Sequence, residues 1–290
     1  MLFVPGTKPS WVDKAIAGGT DAIILDLEDS VPPAEKDAAR AAVRTSVLQL
    51  AAAAGTTGVW VRPNAWESRL AGADLEAVVV AGLDGIFLPK VYGPADILRF
   101  DALLEHFEIR AGIEVGSVEI IVSLETAESM SACEEIAGAS PRVASLFGAT
   151  ARDADIGRAL GFTWTAEGLE TLYLRSRILL ACRAAGLQHP ICGLWQDLPD
   201  LDGLERFATS NRGLGYRGQV AIHPSHIEVI NRVFTPTPEE LEFYRGMVAA
   251  LEAAQAAGDA AVDYDGQHID IAHVKTARDI LARAEALGLG

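Results

Sequence analysis

Short apolar runs bounded by turn residues alternate along the chain with longer stretches of helical period rich in alanine, leucine and glutamate. That alternation is the pattern of repeated strand–helix units around a parallel sheet. Eight runs read as strands, at residues 2–4, 22–27, 58–62, 85–88, 118–124, 143–147, 189–193 and 219–222. Between them, residues 11–18, 34–54, 70–81, 95–107, 127–137, 165–185 and 201–214 read as helices. The runs at 22–25 (AIIL) and 119–124 (EIIVSL) fit strands covered on both faces. Eight such units predict a closed TIM (β/α)8 barrel over residues 1–235. An open doubly wound sheet is the alternative, weakened because no strand is followed by GxGxxG or GxxxxGK[ST]. Beyond the barrel come Pro236 and Pro238, a helical stretch at about 239–257, the polar run GDAAVDYDGQHID and a last helix. One closing helix would complete a barrel, so residues 236–290 are expected to form a C-terminal helical arm or lid, packing on a neighbouring subunit.

Composition narrows the partners. Of 290 residues, 50% are hydrophobic and 22% charged, which gives a packed globular chain rather than a disordered or fibrous one. With 24 basic against 40 acidic residues the net charge is −16, which disfavours nucleic acid and anionic membrane surfaces. An anionic small molecule then needs a local cation: an arginine, a lysine or a metal. Cys133, Cys182 and Cys192 lie far apart without CxxC spacing and read as small core fillers in a reduced, cytoplasmic protein. The start MLFVPGTKP reads neither as a signal peptide nor as a membrane span.

In a barrel the loops at the C-terminal ends of the strands converge on one mouth, and chemistry gathers there. The second strand runs into Asp26, Glu28 and Asp29, the third ends at Arg62, the fourth at Lys90 and the fifth at Glu125. The loop after the sixth carries Asp153 and Asp155, and His223 follows the eighth. Bland readings exist for most of these: an acidic helix start for Asp26, Glu28 and Asp29, salt bridges for Arg62 and Lys90, a core imidazole for His223. Glu125 resists such a reading, because a carboxylate directly after an apolar strand costs several kcal/mol unless a cation or a hydrogen-bond network meets it. Glu125 with an aspartate after the sixth strand makes a plausible two-carboxylate Mg2+ site, since that ion takes one or two carboxylates plus water and substrate oxygens. Zinc spacing and the GxSxG nucleophile motif are absent.

Taken in order, LFVPG, LDLEDSV with the following PPAEKDAAR, VRPN, GLDGIFLPKV, SLETAES, the FGA loop ending in DIG, AIHPSHI with FTPTPEE, and DGQHID resemble the CitE-like branch of the HpcH/HpaI aldolase and citrate lyase β-subunit family. The match runs nearly end to end. The resemblance implies a Mg2+-dependent barrel, trimeric or hexameric, that cleaves or forms a carbon–carbon bond in a 3-hydroxyacyl-CoA thioester such as citryl-, malyl- or citramalyl-CoA. It further implies that Glu125 binds the metal; the family's second ligand position falls on Ala151 without a gap, so either Asp153 supplies that carboxylate through a shifted loop, or Asp155 does, or fewer protein ligands hold the ion. Arg62 would grip the oxoacid carboxylate, Asp26, Glu28 and Asp29 would surround the metal waters, and Asp270 would reach a neighbour's site as the proton donor. Lys36 and Arg40 are the basic residues expected to meet the CoA. Two departures stand out: family members commonly read GAEDL after the sixth strand where this chain has Gly148, Ala149, Thr150, Ala151 and Arg152, and Tyr92 stands where an acid often follows LPKV. The alternatives are a class II aldolase acting on free pyruvate-type substrates, in which Asp270 is dispensable, and a non-catalytic barrel that binds an acyl-CoA or a partner protein through a degraded metal site.

Overall fold

The computed structural model describes residues 1–53, 55–148 and 150–289. Their strands are β1 (Leu2–Pro5), β2 (Ala22–Asp26), β3 (Gly58–Arg62), β4 (Gly85–Leu88), β5 (Glu119–Leu124), β6 (Val143–Gly148), β7 (Ile191–Cys192), β8 (Gly218–Gln219), β9 (Val262–Tyr264) and β10 (Gln267–Ile269). The helices are α1 (Val12–Ala17), α2 (Lys36–Ala53), α3 (Ala71–Val78), α4 (Pro94–Ala111), α5 (Ala127–Ser131), α6 (Cys133–Ala137), α7 (Asp155–Leu160), α8 (Leu169–Ala184), α9 (Leu201–Leu214), α10 (Ile227–Phe234), α11 (Pro238–Ala256) and α12 (Ile271–Ala286). Strands β1 to β8 form one sheet in sequence order, every neighbouring pair parallel. A parallel bridge between Leu2 and Ala221, with the Phe3 amide donating to the Ala221 carbonyl, joins the last strand's continuation to the first and closes the barrel.

Strand alternation explains what fills it. Every second residue points inward, so Ile24, Trp60, Phe87, Ile121, Phe147, Ile191 and Val220 make one interior cluster, with Phe3 packed against it. Phe87 stands edge-on to both Phe3 and Phe147. Fully burying side chains of this size contributes about 1.5–3 kcal/mol each. Gly85 has no room for a methyl group, because a Cβ there would lie 2.3 Å from the Trp60 ring and 2.7 Å from the Glu119 carbonyl oxygen. Two residues further along β2, β3 and β5 the same inward face turns polar: Ile24 gives way to Asp26, Trp60 to Arg62, and Ile121 to Ser123 and then Glu125.

Several boundaries differ from those the pattern predicts. The expected helix at 127–137 is two short helices broken at Ala132, and the one expected at 34–54 is observed from Lys36 to Ala53, residue 54 lying outside the described residues. Strands β7 and β8 keep only two laddered residues each, where Pro190 lacks an amide to donate and the flanking glycines weaken the strand. Helix α7 stands where the pattern predicts a loop, and the polar run before the last helix contains the antiparallel hairpin β9–β10.

The chain divides into two compact units, Met1–Asn231 and Arg232–Gly290, four residues earlier than the division expected after residue 235. The second unit is an α11–α12 pair with the hairpin between them. Its own core is Met247, Leu251, Ile269, Val274 and Ala277, with Phe243 and Tyr264 packed on it. A capping box at Thr237 and Glu240 starts α11. All three cysteines are free and buried, and burial pushes the Cys182 thiol up to about 11, as fits an inert filler. No helix among the described residues is long and apolar enough to cross a membrane.

Candidate active site

The β2–β3 ladder sets Asp26 directly opposite Arg62. From that register follows a bidentate pair: Arg62 Nε donates to Asp26 Oδ1 at 2.6 Å and Nη2 to Oδ2 at 2.7 Å. Asp26 also accepts the amides of Glu28 and Ser30, which folds the acidic turn back over the strand end. Burial alone would raise the Asp26 carboxyl, but its bonds to Arg62 and that cation's charge hold it below the usual carboxylate range. On its other side Arg62 lies 4.8 Å above the Phe3 ring, and its Nη1 reaches Glu28 Oε2 at 3.1 Å and Asp29 Oδ2 at 3.7 Å.

Lys90 comes to this cluster from β4. Its backbone adopts the left-handed region at φ 51°, strained for a residue with a side chain, and its ammonium reaches Glu28 at 2.7 Å and Asp29 at 3.3 Å. The salt bridges suspected for Arg62 and Lys90 are therefore present, and they join acids and bases into one network at the mouth. Burial would lower the Lys90 ammonium, yet the bond to Glu28 holds it above the ordinary lysine value.

Glu125 is 9% exposed, and its recorded partner is the Ser123 hydroxyl, which donates at 2.5 Å. Ser123 precedes it by two residues on the same strand face; that spacing is the signal in the sequence that could have found it. Burial pushes Glu125 up to about 7, with repulsion from Glu28 adding to the rise and the Ser123 bond, Arg62 and Lys90 opposing it. Glu28 Oε2 has no hydrogen-bond partner although buried, since the Arg62 contact lacks hydrogen-bond alignment. Two buried carboxylates with unsatisfied acceptor capacity, within electrostatic reach of one another, suit a hard cation.

Lys36 and Arg40, both on α2, are tied down. The Lys36 ammonium donates to the carbonyls of Leu27 and Glu28 at 2.6 and 2.8 Å and to Asn64 Oδ1 at 2.7 Å, using all three hydrogens. Arg40 pairs with fully buried Asp74 at 2.6 Å and with Asp37, and Asp74 in turn accepts from the Asn64 amide and side chain. These two cations brace the acidic turn against the VRPN loop. Lys36 also lines a cavity of about 330 Å3 with Glu28, Asp29, Ser68 and Lys90.

Asp153 is exposed, with a left-handed backbone at φ 53°, and lines a cavity with Arg152, Phe162 and Trp164 that shares no lining residue with the one over Arg62. Asp155 opens α7 and pairs with Arg158. Among the described residues no group of three or more His, Cys, Asp or Glu is placed to hold a metal. Asp270, in the second unit, caps α12: it accepts from the Ala272 amide at 2.9 Å and meets His273 Nδ1 at 2.7 Å. The His273 bond, then the Ala272 amide, hold its carboxyl below the usual range. His223 is exposed, bonded to Ser225 at 2.7 Å, and not the core imidazole that the sequence allowed.

Arg62 and Asp26 form the polar floor of a cavity of about 510 Å3 whose walls are Phe3, Trp11, Lys14, Leu194, Ile222 and His223. Trp11, Lys14 and Leu194 escaped the sequence reading, which followed charged residues at strand ends and not the apolar positions of adjoining loops.

Residues 1–224 match the family model described as HpcH/HpaI aldolase/citrate lyase. The chain is 34% identical over 287 residues to a (3S)-malyl-CoA thioesterase of Cereibacter sphaeroides, covering 99% of this chain and 94% of that protein. It is likewise 34% identical over 289 residues to the citrate lyase subunit beta of Escherichia coli, covering 100% and 94%. Among solved structures, protein CitE from Mycobacterium tuberculosis, in complex with magnesium, acetoacetate and coenzyme A, superposes with a TM-score of 0.74 at 30% identity over 98% of this chain and 97% of that one.

Proposed function

The chain belongs to the HpcH/HpaI aldolase/citrate lyase family, and from that premise we propose that it is a Mg2+-dependent carbon–carbon lyase acting on a 3-hydroxyacyl-CoA thioester of the citryl-, malyl- or citramalyl-CoA class. The observation that carries this reading is the pairing, at one barrel mouth, of an arginine fixed by a bidentate aspartate with a buried glutamate pushed up to about 7. Relatives named for malyl-CoA and a neighbour holding magnesium and coenzyme A support it.

Cleavage breaks the bond between the carbinol carbon and the thioester α-carbon. The hydroxyl loses its proton, its carbon becomes the carbonyl of the departing oxoacid, and the electron pair of the broken bond passes to the thioester as an enolate that then takes up a proton. Arg62 orients the oxoacid half. Its Nε and Nη2 stay on Asp26, and the longer Nη1 contacts to Glu28 and Asp29 are those a substrate carboxylate replaces. Glu125 is the residue that would hold the dication, which as a Lewis acid would neutralise charge growing on the oxoacid oxygens. With Asp153 facing a different cavity, water and substrate oxygens would fill most of the remaining positions, as is common for Mg2+. Lys90 and Lys36 keep Glu28 and Asp29 in place.

Asp270 is the proposed proton donor to the enolate carbon, reaching the site of a neighbouring subunit in a homotrimer or homohexamer. Its bonds to His273 and the Ala272 amide favour the ionised form, so acting as an acid requires those bonds to be released and the carboxyl to be desolvated on docking in the neighbouring site. The deciding experiment is Mg2+-dependent release of glyoxylate, pyruvate or oxaloacetate from the corresponding CoA ester. Cleavage by the wild type that is lost on chelation and in Glu125→Gln is the expected result. Unchanged turnover in Asp270→Ala would favour an aldolase acting on free pyruvate-type substrates. The buried free thiols are in keeping with a cytoplasmic enzyme.

A further inference from the structure

The loops that follow β6 and β7 carry hydrogen-bond donors for which the fold supplies no acceptor. Trp195 is 4% exposed and its indole nitrogen has no partner; Thr150 is 1% exposed and its hydroxyl has none either. Gly193 brings the two loops together, since a Cβ there would lie 3.1 Å from the Thr150 hydroxyl. Arg152, two residues on, makes no ion pair among the described residues. Its guanidinium instead lies 4.6 Å above the Trp164 ring. Trp164 packs on Trp195 at 5.6 Å, and Trp195 on Phe207 of α9 at 5.7 Å. A guanidinium stacked face-on keeps its in-plane N–H fork free for a ligand, and the aromatic stack holds it in place beforehand.

Arg152 and Trp195 line one narrow slot, and Arg152 is also a wall of the open cavity of about 690 Å3 beside it. Leu194 lines both the slot and the cavity over Arg62. Asp197 is the acid on the slot; Asp153 and Glu167 also line the open cavity, neither in an ion pair with Arg152, and Arg158 there is already paired with Asp155. An unmatched indole N–H, an unmatched hydroxyl and a cation without a counter-ion call for a ligand that only accepts.

We propose that Arg152, Trp195 and Thr150 form a second oxyanion subsite on the β6–β7 side of the mouth, taking a carboxylate or a phosphate group. The subsite rests on this donor set alone and does not depend on lyase chemistry.

The test is a titration of the metal-free protein with succinate and, separately, inorganic phosphate, read by tryptophan fluorescence. A saturable change is expected, with affinity falling about tenfold or more in Arg152→Gln, since charge-assisted hydrogen bonds are the strong ones. Trp195→Phe, which keeps the ring stack and removes the N–H, should weaken binding about threefold. Arg152 is exposed, so its variant folds and decides the matter should Trp195→Phe not. Tighter succinate identifies a substrate carboxylate; tighter phosphate identifies a phosphate-bearing ligand. No saturable change with either anion, or equal affinities in wild type and Arg152→Gln, overturns the subsite.

Discussion

At the scale of single residues the mouth is governed by desolvation. Glu125 is poised near neutrality because it is buried beside Glu28 and meets only one hydroxyl. Its folded value lies above the unfolded one, so its contribution to stability is fully present below pH 4.5 and is lost as pH rises through about 7. The metal-free protein should therefore melt at lower temperature at pH 8 than at pH 5.5 by an amount worth about 2 kcal/mol at most. Glu125→Gln should flatten that difference, as differential scanning fluorimetry can check. Mg2+ added above pH 7 should restore stability to the wild type and not to the variant. Asp153→Ala is expected to weaken Mg2+ binding far less than Glu125→Gln in isothermal titration with oxaloacetate present, since Asp153 faces away into another cavity.

Among elements, the binding end relies on bracing beneath it. Glu108 on α4 is fully buried and accepts the amides of Gly116 and Val118, which lead into β5, while Arg142 at the start of β6 meets both its oxygens at 2.7 and 2.6 Å. Burial would raise Glu108, but those bonds from Arg142 and the two amides hold it below its ordinary value. Strand β5 carries Glu125 at its end, so this pair fixes the base of the strand that bears the proposed ligand. Arg142→Met leaves a buried carboxylate without its counter-charge and should cost about 3–5 kcal/mol, measured by denaturant unfolding. It should also abolish the part of the acid-side loss of stability that the wild type shows as pH falls from 4.5 through the lowered Glu108 value, since Arg142 is the first cause of that lowering. Gly85→Ala should destabilise by crowding instead, about 1–3 kcal/mol, as its methyl has nowhere to go but into Trp60 and the Glu119 carbonyl.

For the whole molecule, a net charge of −16 on 290 residues surrounds a site that must attract an anion. Arg62, Lys90 and Lys36 do not provide net positive charge, since Asp26, Glu28 and Asp29 balance them, which is why a dication at Glu125 is central to the proposal. The second unit, with Asp270 capping α12, gives the assembly its test. Mixing Glu125→Gln and Asp270→Ala subunits under conditions of exchange should restore cleavage above either parent, if each site draws its acid from a neighbour.

The strand–helix alternation, the closed barrel and the acids at the strand ends were legible in the chain, because periodicity and turn residues act over a few positions and need no knowledge of distant neighbours. The second half of the barrel was read less sharply: β7 and β8 are short ladders weakened by Pro190 and glycines, and α7 begins without a side-chain cap. What only the tertiary structure decided is who meets whom. Asp26 and Arg62 are 36 positions apart and Lys90 and Glu28 are 62 apart; parallel register sets the first pair side by side, and the barrel's curl brings the loops after β2 and β4 together for the second. Lys36 and Arg40 look like free cations in a sequence and prove to be braces in the fold. The rise of Glu125 and the unmatched donors at Trp195 and Thr150 are likewise invisible in one dimension, since both arise from the water that folding removes.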